Sequence, residues 1–292
     1  MLKQFPPSEL IINEDGSVFH LHVRPEQLAS RVILVGDPGR VAMVASFFDE
    51  GSIECDITSR EFHTITGKYK GKRITCISTG IGTDNIDIVM NEIDALVNIN
   101  FKTRKEKPVI QSLDIVRIGT CGALQPDIKI GTFLASEKNI GFDGVLDFYA
   151  GRDKIGDPEF EEALMRKVTL NPKGARPYVT HPNSELLNRI ACNDMERGCT
   201  ISANGFYGPQ GRVLRCDIYN PNINDQLADF RYQDYRITNY EMEGSAISGL
   251  ALLMGHKALT VCCVIAQRSA RKANTDYKPR ISELIQTVLE RI

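Results

Sequence analysis

The chain has 292 residues, 42% hydrophobic and 25% charged, enough to bury a core without disulfides or metals. Its formal net charge of -2 argues against a general polyanion binder, so no nucleic acid partner is expected. Eight cysteines stand in no C-x-x-C pair, which fits neither a zinc site nor a disulfide framework and points to reduced thiols in a cytoplasmic protein. No apolar run reaches membrane-spanning length, so no membrane partner is expected.

Residues 1–30 carry Pro6, Pro7 and Pro25 and read as irregular. Arg31 to Val35 is a short apolar strand ending at Gly36. Asp37 then suits a helix N-cap and Pro38 the first helical position. Arg73 to Ser78 is a second strand, closed by Thr79-Gly80-Ile81-Gly82. Asp84 is the expected cap of a helix whose apolar face is Ile86, Val89, Met90, Ile93 and Val97. Residues 102–108 form a polar, basic surface loop. A third strand, Asp114 to Ile118, is expected to end in a turn at Gly119-Thr120-Cys121-Gly122, and Gly131 to Ser136 is a fourth strand.

From 143 to 212 the pattern weakens, with helix-like pieces at Phe160 to Val168 and Ser184 to Cys192. Tyr240 to Leu253 reads as helix, Ala258 to Ile265 as an apolar strand and Ser282 to Ile292 as an amphipathic helix. The alternation predicts one α/β domain over 1–292, a three-layer fold with a central mixed sheet flanked by helices.

In such sheets ligands gather beyond the carboxyl ends of strands. Gly36-Asp37-Pro38-Gly39-Arg40 places glycines and a cation at a helix start, an anion cradle or a plain solvated arginine. It is neither a Walker loop nor G-x-G-x-x-G, so neither ATP nor NAD is favoured. Arg117 is a charge inside a strand and needs a partner: Glu241, Glu243 or an anionic ligand. Phe206 to Arg212 offers an aromatic plane, an amide and a guanidinium, fit for a flat heterocycle or an ordinary loop.

In their shared order, these segments, with Phe19-His20-Leu21, Ser59-Arg60-Glu61-Phe62 and Asn239-Tyr240-Glu241-Met242-Glu243, resemble the nucleoside phosphorylases of the uridine phosphorylase type. The resemblance runs from His20 to about Arg268. It implies that Gly36, Arg40, Arg117 and Thr120 bind phosphate, joined by Arg60 from a neighbouring subunit. Met242 and Glu243 would hold the ribose, with His20 reaching it across the subunit boundary. Phe206, Ile265 and Ala266 would line the base pocket, and Gln210, Arg212 and Arg268 would recognise the base and assist catalysis. No organic cofactor is implied; phosphate is a co-substrate. Glu61, Ile81 and Asn85 match positions that hold an interface cation in some relatives, with Asn85 in place of the usual serine.

The implied reaction is phosphorolysis of a nucleoside within a homo-oligomer, at least a dimer. Purine-cleaving relatives usually carry an acid near the end of the last strand, whereas this chain has Ile265-Ala266-Gln267-Arg268. Uridine is therefore the expected substrate. The alternatives are a purine nucleoside phosphorylase, a nucleosidase of the same superfamily, or a catalytically silent nucleoside-binding protein.

Overall fold

The computed structural model describes residues 2–292. Its strands, in chain order, are β1 (Arg31–Val35), β2 (Cys55–Ser59), β3 (Phe62–Tyr69), β4 (Lys72–Ser78), β5 (Ile99–Asn100), β6 (Lys105–Glu106), β7 (Asp114–Ala123), β8 (Phe133–Gly141), β9 (Tyr178–Thr180), β10 (Glu196–Ser202), β11 (Arg231–Tyr232), β12 (Tyr235–Glu241), β13 (Lys257–Gln267) and β14 (Lys272–Ala273). The helices are α1 (Pro38–Ala45), α2 (Thr83–Asn98), α3 (Arg152–Ile155), α4 (Pro158–Lys167), α5 (Ser184–Ile190), α6 (Ile223–Ala228), α7 (Gly244–Met254) and α8 (Lys278–Arg291).

Most strands join one mixed sheet in the order β11-β12-β10-β8-β13-β7-β1-β4-β3-β2. β12 also pairs antiparallel with β7. The path β12-β10-β8-β13-β7 thereby closes on itself into a ring, and β1 to β4 extend from it as an open wing. Strand β1 lies between β4 and β7, parallel to both.

Side-chain alternation makes β1 and β7 two-faced. Ile33, Val35, Val116 and Ile118 pack in a cluster with residues of α1, α5 and α8. Val32, Leu34 and Ile115 pack on the opposite face with residues of α2 and α7. This is the expected helix–sheet–helix layering. Alternation also sends Arg117 to the α7 face, the same side as Ile115.

Several expected boundaries move. Gly119 to Gly122 is no turn: β7 runs through it to Ala123, and β13 pairs along its whole length. A Cβ on Gly119 would lie 1.9 Å from Arg117 Nη1. The glycine is therefore there to let the arginine lie across the strand. Tyr240 and Glu241 end β12, and the helix starts only at Gly244. Gly82, not Asp84, occupies the cap position of α2, with no side-chain cap; Asp84 lies in its first turn. Within 102–108, Lys105 and Glu106 form β6 and pair with β5. Strands β2, β3, β9 and β10 were not expected. All eight cysteines are free, with Cys192 and Cys216 exposed. Among the described residues no helix is long and apolar enough to cross a membrane.

Candidate active site

One large cleft, about 1330 Å³, opens beyond the ends of β1, β4, β7, β12 and β13. It collects Gly36, Arg40, Arg117, Thr120, Phe206, Gln210, Arg212, Met242, Glu243, Ile265, Ala266 and Arg268. These residues span more than two hundred positions, and the strand ends together with the segment after β10 bring them into one cleft.

Arg40 sits in the first turn of α1, whose start is capped by Asp37 accepting from the Gly39 N–H at 2.9 Å. Gly36 packs against the Gly80 carbonyl, and a Cβ there would approach it to 3.3 Å. Arg40 is 9% exposed and donates through Nη1 to the Ile118 carbonyl at 3.2 Å. Among the described residues it makes no ion pair with a carboxylate. Burial, and then the charge of Arg117, push its pKa down. A buried cation held off its counter-ions is stabilised by an incoming anion.

Arg117 is paired with two carboxylates, while its Nε stays buried without a partner among the described residues. It pairs with Glu243 through Nη2 and with Glu241 through Nη1, the latter at 3.2 Å. Burial opposes its charge, but Glu243 and Glu241 outweigh it and hold the pKa up. Burial raises the pKa of Glu243, against the pull of Arg117. The Gly82 N–H also donates to Glu243 Oε1 at 2.7 Å. Both carboxylates considered as partners of Arg117 are therefore engaged, while Thr120 lies beside them on the cleft wall.

In the same cleft, Gln210 is 4% exposed and Phe206 half exposed. Arg212 lies over the Phe206 ring, 3.7 Å from its centroid. It donates to Gln210 Oε1 at 2.6 Å and to the Phe206 carbonyl. Arg268 donates to the Gln210 carbonyl from the end of β13. The amide and both guanidiniums thus form one linked group. Tyr240 also lines the cleft; its hydroxyl is buried without a partner. A period-two reading of Tyr235 to Glu241 would have found it.

His20 and Arg60 do not line this cleft. They lie together elsewhere: Arg60 sits 5.1 Å from the Phe19 ring centroid, and Phe19 meets the His20 ring edge-on at 4.9 Å. His20 Nδ1 is 2.7 Å from Glu92 Oε1 on α2. Glu61 and Ile81 line the cleft, and Asn85 reaches the same spot. A Cβ on Gly80 would lie 2.5 Å from Asn85 Nδ2 and 3.9 Å from Glu61 Cγ. Among the described residues no three His, Cys, Asp or Glu side chains gather as a metal site.

The phosphorylase superfamily model matches residues 30–291, and the chain belongs to that family. It is 30% identical to the uridine phosphorylase of Thermococcus kodakarensis, over 92% of this chain and 84% of the relative. It is 26% identical to a DeoD-type purine nucleoside phosphorylase of Geobacillus kaustophilus, over 93% and 96%. Among solved structures, a Trypanosoma brucei nucleoside phosphorylase that shows uridine phosphorylase activity superposes with a TM-score of 0.88 and 28% identity, over 97% of this chain and all of that one.

Proposed function

We propose that this chain is a nucleoside phosphorylase that cleaves uridine with inorganic phosphate, giving uracil and ribose 1-phosphate. The observation that carries the reading is that one cleft holds three groups. These are the buried Arg40, which makes no ion pair with a carboxylate among the described residues, Glu243 with its partner Arg117, and the linked Gln210, Arg212 and Arg268. A ribosyl group at Glu243 would have phosphate on one side and the base on the other. As the C1′–N1 bond stretches, the ribose gains positive charge beside the phosphate dianion. Phosphate then attacks C1′. Uracil leaves with negative charge on its carbonyls, opposite Arg212 and Gln210. Catalysis is charge placement and positioning without a covalent intermediate.

The uridine phosphorylase name of the Thermococcus relative supports the choice of base. So does the absence of an acid in Ile265-Ala266-Gln267-Arg268. A purine nucleoside phosphorylase is the second reading, favoured by the DeoD-type relatives. His20 and Arg60 complete the site of a neighbouring subunit in a homo-oligomer, because neither lines its own cleft. A structural cation is part of the same proposal. The Glu61 carboxylate and the Asn85 side-chain amide both approach Gly80, next to Ile81 on the cleft wall, and oxygen donors of this kind suit an alkali or alkaline-earth ion.

The test is release of free base from uridine, thymidine and inosine, with and without phosphate. Phosphate-dependent release from uridine is expected. Release without phosphate would refute phosphorolysis, preference for inosine would refute the base assignment, and no release at all would leave a silent binder.

A further inference from the structure

A hydrogen-bonded chain that the proposed reaction does not use runs from the buried Ser202 to Glu241 on the cleft wall. Ser202 ends β10, is fully buried and does not line the cleft. Its Oγ accepts from the Ser245 N–H at 2.8 Å and donates to Glu241 Oε1. An N–H only donates and a carboxylate only accepts, so the direction of the hydroxyl proton is settled.

Glu241, 3% exposed, is saturated. Beside Ser202, it accepts from the Gly244 N–H at 3.0 and 2.9 Å, shared over both oxygens, and from the Glu243 N–H at 2.9 Å, while Arg117 Nη1 stands 3.2 Å from Oε2 as an ion pair. About four lone-pair sites are all a carboxylate has. None is left for a substrate hydroxyl. Glu241 therefore acts as a bracket: it ties the first N–H groups of α7 to Arg117 and fixes the backbone of Glu243, two residues on. Glu243 carries its own carboxylate into the cleft.

The bracket is itself braced. Ser245 Oγ donates to Asp143 Oδ2 at 2.8 Å, and Tyr178 Oη donates to the same carboxylate at 2.8 and 2.9 Å. Gly141 lets the Tyr178 ring cross β8: a Cβ there would lie 2.2 Å from the ring.

We infer that Ser202 is a positioning residue, which acts through Glu241 to set the placement of Glu243 and hence the discrimination of ribose from deoxyribose. The inference rests on the reading of Glu243 as the ribose ligand. Its test compares wild type, Ser202→Ala and Ser202→Thr on uridine, 2′-deoxyuridine and 2′,3′-dideoxyuridine at saturating phosphate. Ser202→Ala removes one hydrogen bond to a charged group, so kcat/KM for uridine is expected to fall about tenfold. The value for the dideoxynucleoside should change by less than about twofold, because that substrate offers Glu243 no hydroxyl. Ser202→Thr keeps the hydroxyl and should restore the preference.

Equal losses on all three nucleosides, with threonine no better than alanine, would overturn the inference; they would mean a general loss of packing. Should Ser202→Ala not fold, Ser202→Cys preserves the volume with a weak donor and is read the same way. If wild type cleaves no nucleoside, the enzymatic reading fails instead. Crystal structures of wild type and variant then decide: a displaced Glu243 carboxylate supports the inference, and an unmoved one overturns it.

Discussion

Arg212 holds Gln210 Oε1 and the Phe206 carbonyl and covers the Phe206 ring. On the proposed reading a bound base competes with these contacts, and Arg212 bears on the base rather than on phosphate, which Arg40 and Arg117 would hold. Arg212→Ala is expected to raise KM for uridine about tenfold or more, with KM for phosphate nearly unchanged. Steady-state kinetics with each substrate varied in turn checks it; an unchanged KM for uridine contradicts the role. Asp143 gives a prediction in pH. Burial raises its pKa, against the bonds it accepts from Val145, Ser245 and Tyr178. A carboxyl with a raised folded pKa takes its proton earlier in the folded chain than in the unfolded one. It therefore adds relative stability as pH falls through the folded value toward about 3.9. Asp143→Asn removes that gain. Urea midpoints should show wild type exceeding the variant by more at about pH 4 than at pH 7; an equal gap at both would contradict the buried, ionised state.

At the scale of the element, β7 is the strand to perturb. Arg117 lies across Gly119, and a methyl there would sit 1.9 Å from its Nη1. Gly119→Ala should expel the guanidinium from Glu241 and Glu243, destabilising the fold by about 3 kcal/mol and cutting kcat/KM by about a hundredfold or more. Chemical denaturation and kinetics on the same variant check both. This strand also shows what could be read beforehand. Arg117 stood out because a charge in a buried strand demands partners, and both candidates named for it prove to be engaged. Gly119 to Gly122 misled because small residues after an apolar run look like a turn. The reason for the glycine lies in a side chain two positions back, visible only once Arg117 is seen to fold over its own strand. The helical spacing of Met242, Ala246 and Leu250 extends in sequence to Tyr240 and Glu241, whereas β12 holds both and the helix starts at Gly244. Ser202 carried no signal: a serine in Thr200-Ile201-Ser202-Ala203 is unremarked until β10 and β12 set Ser202 opposite Glu241.

For the whole molecule, the placement of His20 and Arg60 away from their own cleft makes a prediction about assembly. Arg60→Ala and Arg117→Ala should each be nearly inactive alone. If sites are shared, a mixed dimer of the two keeps one site with both arginines and one with neither. Random mixing by co-expression should then recover about a quarter of wild-type activity. No recovery in mixed oligomers confirmed by mass spectrometry would refute sharing. The ring of strands bears on something else: the order of events when the chain folds. β7 and β12 are more than a hundred residues apart, and their pairing closes the ring. Arg117 rides on the first and Glu241 on the second. The ion pairs at the heart of the cleft thus depend on a contact of long loop closure, which forms slowly. Within the wing, β2, β3 and β4 pair antiparallel as consecutive strands and close much shorter loops. During refolding, secondary structure should return well before phosphorolysis, with catalysis reporting the moment the ring shuts.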